Sequence, residues 1–215
     1  MKEKKKMSRS KKAIIIWAAV LVLLAAASYV LLQFPELFDR ESGTVEVTGS
    51  NGFYDFFYEA DYSLKLSDYE DYADYLELDR ALYYKKGNQT VGISDDQLDS
   101  YPDEVRFFGR YFDAIIDGDA KSYNLMFTEG YYETHEEKER FTPQMVYDML
   151  IEQLSVSSEG NVTEYVFDVS YKIFENNGTF RDDIYSDASR TQRITIDDSE
   201  GEFKISSIQY YVASN

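Results

Sequence analysis

The 215-residue chain contains no cysteine, one histidine, three prolines and one tryptophan. Without cysteine there is no disulfide framework, thiolate metal site, cysteine nucleophile or lipid-modified cysteine anchor. A single imidazole makes His-based triads and multi-His metal centres improbable. Basic residues are also scarce, 22 against 40 acidic ones, for a net charge of −18. Such a chain repels phosphate backbones, so nucleic acid is a poor partner. No cofactor motif is present. What remains is room for one domain with appendages.

Seven of the 22 basic residues are gathered at one end. Residues 2–12 hold Lys2, Lys4, Lys5, Lys6, Arg9, Lys11 and Lys12 against Glu3 alone. The rest of the chain is therefore more acidic than the total. Ala13 to Leu32 follows, 20 residues without a charge. At about 1.5 Å per residue, a helix of that length crosses a hydrocarbon core of about 30 Å. The basic flank places residues 1–12 in the cytoplasm and everything from Phe34 onward outside. The expected lipid contact is thus the bilayer, through residues 13–32. A cleaved signal peptide is the competing reading, with Ile14–Leu24 as its apolar region and Ala25-Ala26-Ala27 as small residues for cleavage. The apolar continuation Tyr29-Val30-Leu31-Leu32 favours an uncleaved anchor.

Pro35 ends the helix. Residues 40–52 are small, polar and Gly-rich, which predicts a linker. Residues 33–99 as a whole read as a linker rich in Tyr and Asp. A short helix is expected near 67–79 and a hairpin over 81–93 around Lys86-Gly87-Asn88-Gln89. Tyrosine is unusually abundant at 20 residues, and tyrosine is enriched at interfaces. Tyr54, Tyr58, Tyr62, Tyr69, Tyr72 and Tyr75 are therefore the candidate interaction surface.

From residue 100 to 215 the pattern predicts a domain. Ser100, Pro102 and Asp103 start a helix whose apolar stripe is Val105, Phe108, Phe112 and Ile115. Gly118 is its left-handed cap, and Asp119 caps a second helix over roughly 119–127. Thr142-Pro143 predicts a third, with Val146, Met149, Leu150 and Leu154 as its stripe. Then the period changes to two. Tyr165, Phe167, Val169, Tyr171 and Ile173 share one face of a strand over 162–174. Further strands are expected within 179–188, across 189–197 and across 202–212, making an antiparallel meander.

The segment FFGRYFDAIIDGDAKSYNLMF (107–127), followed by FTPQMVYDMLIEQL and the strands after it, resembles the nuclear-transport-factor-two-like, or cystatin-like cone, superfamily. The resemblance covers about residues 100–215 and rests on a fold-level pattern. It implies an α+β domain, an α-α-α-β-β-β-β cone with a curved antiparallel sheet. The superfamily hosts isomerases, dehydratases, transport adaptors and extracytoplasmic domains of single-span membrane proteins. The last group includes assembly factors of secretion and conjugation machines and cell-wall-related proteins. The layout here is most similar to that group. Fold alone does not give function.

Chemistry-bearing candidates are few. His135 lies in a charged stretch and reads as a solvated loop residue. Asp113 and Asp117 read as surface carboxylates near Arg110. Asp168 falls on the polar strand face, and Tyr165 and Tyr171 read as core aromatics with a hydroxyl at the rim. Asp117-Gly118-Asp119 begins like a calcium loop, but Ser122 and Thr128 occupy the positions needing Gly and Glu. The run from Asp197 fails in the same way at Ile208. No catalytic or metal residue is expected. The expectation is a non-enzymatic binding or assembly module of the cell envelope, with a protein partner or self-association. The alternative is an extracytoplasmic enzyme or small-ligand binder using the cone pocket.

Overall fold

The computed structural model describes residues 44–50 and 55–210. The expected membrane segment, Ala13–Leu32, lies outside them. Among the described residues no helix is long and apolar enough to cross a membrane.

The chain is mixed α+β, built on one curved six-stranded sheet with few helices. Strands β1 (Thr44–Ser50) and β2 (Asp55–Asp61) form a separate antiparallel pair. The linker expected over 40–52 is therefore partly a strand. Next come a 3₁₀ turn at Leu66–Asp68 and a one-turn helix α1 (Tyr72–Tyr75), in place of the longer helix expected over 67–79. Aspartate supports a helix weakly, and the tract yields only these fragments. Strands β3 (Leu82–Lys86) and β4 (Gln89–Ile93) make the expected hairpin, with Gly87 at φ +59° in its two-residue loop. The longest helix, α2 (Asp103–Asp117), ends at Gly118 in the left-handed conformation. Asp119 caps the short α3 (Ala120–Asn124) by accepting from the Ser122 N–H at 3.0 Å. Strands β5 (Met145–Glu159), β6 (Val162–Phe174), β7 (Gln192–Asp197) and β8 (Lys204–Tyr210) complete the sheet. Its order is β4-β3-β5-β6-β7-β8, antiparallel except where β3 lies parallel to β5.

Two expectations are overturned. The third helix over 142–154 is instead the first half of β5. Asp148 is the reason: it sits in a bulge at φ +51°, where the register with β6 shifts between Tyr147 and Leu150. The bulge puts Val146 and Met149 on the same face of a strand, which imitates helical spacing in the sequence. A second shift lies between Gln153 and Ser155, and Leu154 beside it is exposed rather than on the buried face. Nor does Thr142-Pro143 start a helix. Thr142 is fully buried, and its hydroxyl is bound to Thr179, Asn177 and Gln144. The strand expected within 179–188 is also absent; that stretch is a folded loop. The helix-rich α-α-α opening thus becomes α-α followed by four strands.

The core fills the concave face of the sheet. Val105, Phe108, Phe112 and Ile115 of α2 are buried against Phe167, Val169, Tyr171 and Ile173 of β6, the faces read from the sequence. Edge-to-face pairs join the layers: Phe108 with Phe167 at 4.8 Å and Phe112 with Tyr171 at 5.6 Å. Each such pair adds roughly 0.5–1.5 kcal/mol beyond the area it removes from water. Because strand neighbours alternate, Met145 and Tyr147 face the other way. They form a second, smaller core with Tyr75, packed by Leu66, Tyr69, Tyr72, Leu78 and Phe174.

Candidate functional site

The segment between β6 and β7 carries the most concentrated polar chemistry among the described residues. Asn176 and Asn177 fold it. The Asn176 amide donates to the carbonyls of Arg181 and Ile184, both at 2.9 Å, and its oxygen accepts from the Gly178 N–H at 2.9 Å. Phe180 and Ile184 pin the loop into the main core. These anchors carry Arg181 inward, where its side chain is only 5% exposed.

A guanidinium so deeply buried needs partners for its charge. Arg181 donates through Nε and Nη2 to both carboxylate oxygens of Asp183, the second at 2.7 Å, and through Nη1 to the Tyr171 hydroxyl at 3.1 Å. Arg190 donates to the same Asp183 at 3.1 Å. Tyr210 lies beside both arginines, its ring centroid 5.3 Å from the Arg181 guanidinium carbon and 5.1 Å from that of Arg190. Burial opposes ionisation of Asp183, but its bonds and attraction to Arg181 and Arg190 outweigh that and hold its pKa below the ordinary value. Burial likewise penalises the Arg181 charge, and Tyr171 and Asp183 more than restore it.

Arg181, Asp183, Arg190 and Tyr210 border a cavity of ≈ 250 Å³, whose wall also includes Tyr123, Lys138, Phe180 and Gln192. Lys138 donates to the Phe180 carbonyl at 2.9 Å and lies 5.2 Å from that ring's centroid. Burial pulls its pKa down. Three cations face two carboxylates, Asp182 and Asp183, on this wall. The local balance is positive in a strongly negative protein. Gln192 is 2% exposed, and its side-chain oxygen has no hydrogen-bond partner among the described residues.

A second cavity of ≈ 430 Å³ shares Tyr123, Lys138 and Tyr210 with the first and continues past Phe127, Tyr131, Tyr132, His135 and Ile208. Burial raises the Tyr131 and Tyr132 hydroxyls to about 12, so both are neutral donors at ordinary pH. His135 stacks on Tyr131 at 4.1 Å, and its Nδ1 lies 3.1 Å from the Tyr131 carbonyl. The imidazole is exposed.

The tyrosines singled out from the sequence lie elsewhere. Tyr54 is outside the described residues, and Tyr58 lies on β2. Tyr62 holds the Arg140 guanidinium 4.2 Å from its ring centroid. Tyr69, Tyr72 and Tyr75 strap the outer face of the sheet. Tyr75 is 2% exposed and donates to the Val146 carbonyl at 2.8 Å; Tyr69 donates to the Pro143 carbonyl at 3.3 Å. Asp113 and Asp117 are exposed and border a groove with Arg110, Leu125 and Phe203. Asp168 takes a bidentate ion pair from Arg193 at 2.9 and 3.1 Å. Among the described residues no acidic, His or Cys cluster is arranged to hold a metal ion.

Sequence reading missed Arg181 and Asp183, because 179–188 read as a strand, and passed over Arg190 and Gln192 as part of the strand expected across 189–197. The signal was present: Asn-Asn-Gly followed by Arg-Asp-Asp and Ser-Asp-Ala-Ser-Arg is loop composition. No protein-family model, curated protein or solved structure matches the chain.

Proposed function

We propose that the chain is a single-pass membrane protein of the nuclear-transport-factor-two-like cone type, held by Ala13–Leu32. Its domain beyond the membrane serves as a non-enzymatic binding or assembly module of the cell envelope. The basic residues 2–12 and the uncharged run support the anchor and its orientation. One observation carries the binding role. The concave face, where a cone would hold a substrate, is packed by Phe107, Phe108, Phe112, Phe167, Ile194 and Ile196, while a cleft rich in tyrosine and arginine opens beside it. Tyr and Arg are the residue types that dominate recognition surfaces.

The test is a photo-crosslinking amino acid at Tyr132 or Tyr210 of the full chain in intact cells. Covalent adducts to an envelope protein, or to a second copy, are the expected result. Recovery of uncrosslinked monomer alone overturns the reading. A reporter fused to the C-terminus checks orientation independently: activity inside the cell sinks the proposed topology.

A further inference from the structure

We propose that the cavity walled by Lys138, Arg181, Arg190, Gln192 and Tyr210 binds a carboxylate. That is the group found at the end of a peptide and in an acylated amino acid. The inference deepens the binding-module reading and rests on it.

The charge of the ligand follows from the wall. Arg181 spends its bidentate edge on Asp183 and one more N–H on Tyr171, yet further N–H groups of Arg181, Arg190 and Lys138 stay uncommitted among the described residues. Unspent cationic donors lining one cavity favour an anion. Three cations against Asp182 and Asp183 leave room for a single negative charge. A phosphate dianion would exceed that balance and meet both aspartates. A carboxylate matches it.

Asp183 ties the two guanidinium groups together, and Tyr210 lies against both, so the anion site is organised before any ligand arrives. The adjoining cavity of ≈ 430 Å³ leads away along Tyr131 and Tyr132, which suits the residues preceding a terminal carboxylate.

The probes are N-acetyl-L-phenylalanine, its primary amide, 3-phenylpropionate and inorganic phosphate, titrated calorimetrically into the full chain in mild detergent. The acetylated acid should bind at least about tenfold more tightly than its amide, the loss of one charge-assisted pair. 3-Phenylpropionate, which keeps the carboxylate, should also bind more tightly than the amide. Arg190→Gln, at a half-exposed position, should weaken the acid about tenfold and leave the amide unchanged. A longer peptide ending in the same residue separates the sources: tighter binding points to a chain terminus, weaker binding to a free acylated amino acid, and either keeps the proposal. Equal affinity for acid and amide, tighter binding of phosphate, or an Arg190→Gln variant that folds and binds unchanged would overturn it. A crosslinked partner without carboxylate preference leaves the module reading standing and removes this one. Carboxylate binding without any crosslinked partner does the reverse.

Discussion

On the outer face of β5, Tyr75 is buried beside Met145 and Tyr147 and gives its hydroxyl to the Val146 carbonyl. On the concave face Tyr111 lies as deep, yet its hydroxyl meets no hydrogen-bonding geometry among the described residues. The same residue type is thus used in two ways, 2% exposed in one place and 0% in the other. The strap tyrosine is a polar clasp holding a thin layer onto the sheet. The core tyrosine is an aromatic filler, in tilted contact with Tyr123 at 5.6 Å and edge-on to Phe112 at 5.4 Å. A tyrosine-rich composition alone does not reveal which of the two a position will be.

The largest expected effect breaks both layers together. Burial raises Tyr75 to about 12 and lifts Tyr111, Tyr123 and Tyr171 on the concave face above their ordinary value. A group whose folded pKa is raised gives stability that is full below its unfolded pKa and is lost as pH rises. The fold should therefore hold up to about pH 10 and unfold above it. Tyrosinate absorbance should appear together with loss of far-ultraviolet circular dichroism; smooth ionisation of these tyrosines with the fold intact would contradict it.

Phe108→Ala empties the centre of the concave core and should cost about 3–5 kcal/mol in denaturant unfolding. Gly118→Ala should cost about 2 kcal/mol, since φ +70° disfavours a side chain and the new Cβ would lie 2.6 Å from the Pro143 nitrogen. The sharpest comparison is the smallest. Tyr75→Phe should lose about 1 kcal/mol, the worth of one hydrogen bond. Tyr111→Phe should stay within about 0.5 kcal/mol of the parent or exceed it, because it removes an unpaired buried hydroxyl. Equal losses at both sites would show that the two layers treat the hydroxyl alike.

Local rules made much of this fold legible. The α2 stripe, the Gly118 cap, the alternation of 162–174 and the β3–β4 hairpin all follow from nearest-neighbour preferences and are found where those place them. Strand β5 was hidden because its bulge at Asp148 breaks the two-residue period, so Val146 and Met149 mimic a helix face. The Gly160 turn, at φ +63° between Glu159 and Val162, was the clue that a strand precedes it. The cleft was not legible for a different reason. Tyr123, Lys138, Arg181, Gln192 and Tyr210 come from separate elements, and only the folded sheet and the Asn176 network bring them together. No spacing in the sequence encodes that meeting.

The parallel pairing of β3 with β5 sets an order of events during synthesis. Leu82 finds its partner only when Met149 has been made, and the whole of α2 is threaded between them. Contacts that distant are slow to close. As the chain emerges N-terminal end first, the β3–β4 hairpin must wait with one flank unsatisfied, an open strand edge that other chains could pair with. Slowing release of residues 145–153 should therefore prolong the stage at which this protein is most prone to aggregate.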